Sequence, residues 1–430
     1  MNPMRKIYIS IGYISFCIFS CCCINAQLTF TELLEQAEEH STELVSLKAS
    51  REILILESAK IRAENTSPKA YVSSELLFAP YLNNNGAVVS TDPQITAIGY
   101  DVGITNGGLY AFLLNAELPI LNHGQVNNLL EQNHLEITKI DTRIKSITLE
   151  LKHSLALQYL DALTSQTENL ALQDNLNLLQ QQLNIIQSLT EHGLYRYVDF
   201  RLMQTAFTAD SINLESSEAM FRLKLDQLYT ECGINNAYST QLSDFEPVYV
   251  PNSKDTSIFL QTYIQDSLSS VIQQKVFENQ YKPQIKIYAN TGINSTSIPY
   301  IQNHLGMSAG IQLTYTLFDG RQKQINQKQQ LVLMEQANQE KDLTLFMLQK
   351  NKASYLEAIQ LLNTSIIKEE KLQNDYNEIL KLYEEELKKA QVGIIDFLNF
   401  LQIFNQHKLA LAHHKIERNK LIVEYNYWNN

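Results

Sequence analysis

Three histidines near the C-terminus, His407, His413 and His414, are the residues whose type most invites a metal. A structural or catalytic zinc needs three or four ligands converging on one point. Neighbouring helical residues point ~100° apart, so His413 and His414 cannot share a helix face, and no cysteine or paired acid joins them at ligand spacing. The expectation is no metal. Serines, histidines and acids are plentiful, yet no serine sits in a nucleophile elbow and no glycine loop is built to hold phosphate. The run Glu384-Glu385-Glu386 followed by Lys388-Lys389 reads as a wetted helix face with internal pairs. No catalytic residue and no cofactor are expected, and the chain is not read as an enzyme.

What the sequence has instead of chemistry is punctuation. Gln125 to His192 contains neither glycine nor proline; Gly193 interrupts, and Leu194 to Cys232 again contains neither. The stretch HGLYRYVDF around Gly193 has a counterpart in VGIIDFLNF around Gly393, with Asn399 at the place of Asp199 and Phe400 at that of Phe200. Runs this uniform predict helices at about 29–66, 125–191, 194–231, 255–281, 321–391 and 394–427. The two longest would reach ~100 Å at 1.5 Å per residue. Only other rods can hide a rod of that length. Ile137, Ile140, Ile144, Ile147 and Leu151 step by three and four, as do Leu172, Leu176, Leu179, Leu183 and Ile186. This is a coiled-coil seam. Leu135, Leu149, Leu160 and Leu163 lie off it, so the rod presents two apolar stripes and calls for a neighbour on each.

Between the helices the period changes from 3.6 to 2. After Pro283, Ile285, Ile287 and Ala289 alternate with polar residues, and after Gly310 so do Ile311, Leu313, Tyr315 and Leu317. The segment 69–120 offers two more strands with a weaker pattern, and 283–318 holds the second pair. Four strands cannot close a barrel, and an open apolar sheet cannot sit in lipid with unpaired edges. Closure must therefore use several chains.

The chain has 430 residues, 19% charged, with a formal net charge of −12, which argues against nucleic acid as a partner. It opens with MNPMRK, an apolar run through CCC, and INAQ, the pattern of a secretory signal peptide at 1–26 cleaved after Ala26. The alternative is acylation at Cys21. Beyond the signal only Cys232 remains, too few for an internal disulfide, and it is expected as a small buried apolar residue. No later segment is apolar enough for a transmembrane helix.

Taken together, the order helix, two strands, long helix, glycine break, helix occurs twice. The first copy occupies 27–232, a mixed segment follows at 233–254, and the second occupies 255–430. At this level the chain resembles the outer-membrane efflux protein family, the TolC-type channels. The resemblance rests on the two-fold repeat, on the junctions Leu317-Phe318-Asp319-Gly320 and Leu121-Asn122-His123-Gly124, and on the tip glycines, of which Gly193 has an acid, Asp199, six residues on and Gly393 has Asn399 there.

The resemblance implies a mainly α fold with a small β part. Two repeats of long coiled-coil helical hairpins would form an α-barrel, and four strands would join a trimeric 12-stranded transmembrane β-barrel in outer-membrane lipid, with a tunnel extending into the periplasm. It implies a homotrimeric, passive exit duct for efflux or type I secretion. The implied partners are a periplasmic adaptor (membrane fusion) protein and an inner-membrane transporter; the alternative reading is a soluble periplasmic adaptor or scaffold. It assigns adaptor docking to Gly193, Leu194, Gly393 and Ile394, and the barrel-to-helix junction to Gly124, Asp319 and Gly320. The mixed segment would be the equatorial belt.

Gly193 and Gly393 are expected at tight turns that need positive φ. Asp199 would contribute to an acid ring at the periplasmic entrance. Asn399 stands where a second acid is typical and Gln402 where another follows, which predicts weak block by cations. Arg196 and Asp396, each three residues after its glycine, are either a bridge latching the entrance or solvated tip charges.

Overall fold

The computed structural model describes residues 29–90, 92–100, 108–120, 122–234, 241–251, 257–296, 298 and 300–430. The signal segment, with Cys21 and Ala26, and the junction residue Leu121 lie outside them. Among the described residues seven α-helices and four strands follow in the order α1 Phe30–His40, α2 Thr42–Thr66, β1 Lys69–Phe78, β2 Gly108–Ile120, α3 His123–Glu191, α4 Tyr197–Glu231, α5 Ile258–Glu278, β3 Gln284–Ser295, β4 Leu305–Thr314, α6 Gln322–Lys388 and α7 Ile394–Trp428. The helix expected over 29–66 is two helices. Ser41 breaks it by turning its hydroxyl onto the Leu44 N–H at 3.3 Å, the N-cap of α2.

The chain divides into two compact units, neither continuous in sequence. Of the described residues, one draws on those within 29–36, 158–245 and 379–409, the other on those within 37–157, 246–378 and 410–430, and α3 contributes to both. In the first unit Leu160, Leu179, Ile186, Met203, Leu228, Leu387 and Phe397 are all essentially excluded from solvent. Cys232 is buried there, and burial pushes its thiol up to about 12, with the Glu231 charge adding to the effect. It is inert as a nucleophile at neutral pH. Phe30, Tyr159 and Phe245 form a ring cluster in the same unit, and the Tyr159 hydroxyl donates to Ser243 O at 2.7 Å.

The second unit holds the sheet. Its strands form an antiparallel meander in the order β1-β2-β3-β4, leaving β1 and β4 as the edges. The register sorts side chains in a way the sequence of β1 and β2 does not disclose. One face carries Ala70, Val72, Leu76 and Phe78 from β1, and Phe112, Leu114, Ala116, Leu118 and Ile120 from β2. It continues with Ile285, Ile287, Ala289 and Ile293 from β3, and Leu305, Met307, Ala309, Ile311 and Leu313 from β4. Ser74, Thr291 and Ser295 interrupt it, with Tyr110 beside Ser295. The opposite face carries Lys69, Ser73, Asn115, Glu117, Lys286, Asn290, Ser308 and Gln312. The alternation expected to run on through Tyr315 and Leu317 ends at Thr314. Its partner is Gln284, and Pro283 before that has no N–H to continue the ladder.

Candidate functional site

The two helix-to-helix turns share one backbone design. At the end of α3, Gly193 takes φ +76°; its N–H reaches Thr190 O at 3.0 Å, and the Leu194 N–H reaches Leu189 O at 2.9 Å. This pair of bonds is a Schellman motif, which satisfies the last carbonyls of the helix. At the end of α6 the same two bonds run from Ala390 to Leu387 O at 3.0 Å and from Gln391 to Glu386 O at 2.9 Å, and the left-handed residue is Ala390, at φ +55°. Gly393 does not take positive φ. Its carbonyl instead accepts from the Phe397 N–H at 3.0 Å, which makes it the N-cap of α7.

The structural match between the turns is thus Gly193 with Ala390 and Arg196 with Gly393, three residues away from the match that identity suggests. The consequence for the acids is direct. Asp199 is the third helical residue of α4, and its equivalent in α7 is Asp396, not Asn399. By this backbone match the first-turn acid of α7 is Asp396, three residues before Asn399. Asn399 and Gln402 both lie exposed on α7.

Arg196 and Asp199 pair with each other. Arg196 Nε donates to Asp199 Oδ2 and its Nη2 to Oδ1, both at 2.9 Å, while the Arg196 backbone N–H reaches Oδ2 at 3.2 Å. The carboxylate therefore caps the start of α4 and holds its own arginine in a two-pronged grip. That hydrogen bonding holds the Asp199 carboxyl below its ordinary value. Asp396 is exposed and folds back over Gly393: a Cβ there would meet Asp396 Oδ2 at 3.0 Å.

Of the residues assigned to docking, Leu194 is 60% exposed, with Tyr197 and Val198 beside it also in solvent. Ile394 is 1% exposed, so it is a core residue of its turn and is withdrawn as a docking contact; Ile395 is the exposed isoleucine. One residue that sequence reasoning missed joins the two turns. The Tyr195 hydroxyl bonds Val392 O at 2.8 Å and Leu387 O at 3.3 Å. Its partners are carbonyls, which carry no sequence signal. Tyr383 stacked on Phe400 at 4.6 Å adds an aromatic tie between α6 and α7.

Deeper in the same unit an amide relay crosses three helices. Asn405 on α7 donates to Asn175 Oδ1 on α3 at 2.6 Å, and Asn175 donates to Asp210 Oδ2 on α4 at 2.5 Å. Burial raises the Asp210 carboxyl above its ordinary value. A cavity of about 450 Å³ lies alongside, bordered also by Gln402.

At the strand-to-helix junction Asp319 caps α6. Its carboxylate accepts from the Arg321 N–H at 2.9 Å, the Lys323 N–H at 2.8 Å and the Tyr281 hydroxyl at 2.7 Å. Those bonds, the tyrosine's foremost, hold the carboxyl low, and the same contact leaves the Tyr281 phenol pushed up to about 12. Gly320 and Arg321 follow at φ +62° and +73°, turning the chain from sheet to rod. Gly124 is the second residue of α3. On the polar face of the sheet, Tyr71 and Lys286 both bond Glu117, at 2.6 and 3.3 Å, linking β1, β2 and β3.

No group of three potential metal ligands occurs among the described residues. His414 Nδ1 lies 2.8 Å from Glu369 Oε2, and His413 and His407 are also engaged.

No family model matches the sequence, and no curated protein does. Solved structures do. The Campylobacter jejuni CmeC outer membrane channel aligns over 93% of this chain and 85% of its own, at TM-score 0.71 and 11% identity. The Vibrio cholerae outer membrane protein VceC covers 93% and 95%, at TM-score 0.67 and 14% identity. The open state of the Neisseria gonorrhoeae MtrE outer membrane channel covers 100% and 97%, at 0.66 and 12%. The chain therefore has, over nearly its whole length, the fold of the outer-membrane channels, mainly helical with four strands.

Proposed function

We propose that the chain is one subunit of a homotrimeric outer-membrane channel, a passive exit duct whose bore continues into the periplasm. The observation that carries this reading is the sheet: apolar on one face, polar on the other, and unpaired along β1 and β4. An apolar face of that extent belongs in lipid, and lipid tolerates no open edge. Pairing β4 of one copy with β1 of the next closes the ladder, and three copies give 12 strands. The polar face then lines water. No described helix is long and apolar enough to cross a membrane, so insertion falls to the strands.

The helices support the same assembly. Leu331, Val332, Leu343, Phe346, Leu361 and Ile367 on α6 are exposed in the single chain, the flank a neighbouring copy would cover. The two sequence repeats, 27–232 and 255–430, then supply two hairpins per copy. The turns at Gly193 and Ala390 form the periplasmic ends, with Leu194, Tyr197, Val198 and Ile395 as the surface for a periplasmic adaptor coupled to an inner-membrane transporter. Asp199 and Asp396 are the entrance acids. The work of transport comes from that partner.

Reconstitution into planar bilayers tests the reading. Purified protein is expected to give uniform long-lived conductance steps at low ionic strength. Protein that adsorbs to the bilayer, washes off with salt and gives no steps would overturn the duct and favour a soluble scaffold.

A further inference from the structure

The junction between sheet and rods contains a cavity of about 370 Å³ whose walls are rich in donors. On its helical side lie Asn122, Gly124 and Gln125, at the start of α3. The first intrahelical bond there runs from the Val126 N–H to Asn122 O, so the N–H groups of residues 123–125 precede the ladder. A helix of 69 residues presents partial positive charge at that end, and its first turn holds no acid to neutralise it. Lys282 stands directly above: a Cβ on Gly124 would lie 3.7 Å from its Nζ.

The second, independent observation is Asn279, which lines the cavity and is 3% exposed. Its Oδ1 accepts from Asn128 Nδ2 and from Lys282 Nζ, each at 3.0 Å. Two donors on one oxygen fix which way the amide points. Its Nδ2 is then left buried with no partner among the described residues. A buried donor without an acceptor is unfavourable, and an acceptor in the cavity that met it through a small turn of the side chain would remove that cost. Lys286 adds a second ammonium on the rim. The nearby carboxylates are already occupied, Glu117 by Tyr71 and Lys286, and Glu278 by Gln274 and Lys323.

We propose that this cavity is an oxyanion site, taking the phosphate or carboxylate group of a small solute between Lys282, the Asn279 amide and the start of α3. At ~30 Å³ per water, the volume admits such a group with its remaining hydration. Gln284, Lys286, Gln312 and Thr314 place the opening on the polar face of the sheet. If the channel reading above holds, that face lines the bore, and the site is a resting place for anions in transit through an otherwise acidic protein.

The test is calorimetric titration of the full detergent-extracted protein with inorganic phosphate in chloride buffer, with a soluble short-chain phospholipid in a parallel arm. Saturable phosphate binding, weakened ~10-fold or more by Asn279→Asp and also by Lys282→Gln, but not by Lys408→Gln, is the expected result. Lys282 is exposed, so its variant keeps the test available where Asn279→Asp fails to fold. Binding of the phospholipid alone, with the same variant pattern, supports the oxyanion site and assigns the group to a lipid head. Folded protein that binds neither, or binds equally well in both variants, overturns the proposal. Conductance of the same preparation reports separately on the channel.

Discussion

The two faces of β2 allow the membrane assignment to be tested with adjacent residues of the same type. Leu113 and Leu114 sit at mid-strand. Leu114 pairs with Val72 and Thr291 on the apolar face, Leu113 with Ser73 and Gly292 on the polar face. Lysine at either site carries the same charge and the same intrinsic strand preference. On the lipid face near the bilayer centre it costs about 2–4 kcal/mol, and on the water-lined face close to nothing. Each assembly carries three copies, so Leu114→Lys penalises the trimer by about 6–12 kcal/mol, while Leu113→Lys has Ser73 and bore water beside it. The assay is refolding into liposomes, scored as the fraction of heat-modifiable trimer against denaturant. Leu114→Lys is expected to abolish insertion or move its midpoint strongly, and Leu113→Lys to fold like the parent. Equal loss in both, or greater loss for Leu113→Lys, would refute the sorting of faces and with it the barrel.

Ala390→Gly should raise amide-exchange protection at Gln391 about 2- to 5-fold, because glycine relieves ~0.5–1 kcal/mol of left-handed strain net of its own chain entropy. Gly193→Ala should lower protection at Leu194 by a similar factor; a Cβ there meets nothing within 4 Å, so only the backbone term changes. Tyr195→Phe removes the hydroxyl shared by Val392 and Leu387 and should loosen the paired turns, read as more frequent openings of single channels. Asp396→Asn should weaken block by a trivalent cation ~10-fold or more, since Asp396 is exposed whereas the Asp199 carboxylate is held by Arg196. Asp210 binds its proton more tightly folded than unfolded, so stability should fall as pH rises from the unfolded value through the folded one, and Asp210→Asn should flatten that slope in acid unfolding.

The long helices were legible because nothing else tolerates so many residues without glycine or proline while keeping two apolar stripes. The strand pairs were legible where apolar and polar residues alternate strictly, as at Ile285, Ile287 and Ala289 in β3 and at Ile311 and Leu313 in β4. They were blurred in β1 and β2, where Leu77, Leu109 and Leu113 put apolar side chains on the polar face and only the register assigns them. The turns misled by identity. Gly193 and Gly393 look equivalent, yet the backbone equates Gly193 with Ala390, because an alanine fills the left-handed position that glycine favours. That shift moved the acid from 399 to 396 and Ile394 into the core. Tyr195 and Asn279 were invisible for another reason. Their roles depend on carbonyls and amides brought together by folding, 192 residues apart in the case of Tyr195 and Leu387.

The assembly of three chains is the claim on which the bore, the closed ladder and the covered helix flanks all depend. Native mass spectrometry of the folded, detergent-extracted protein tests it most directly. The account predicts a single species of three times the processed chain mass; a folded monomer, with β1 and β4 unpaired in lipid, would contradict it.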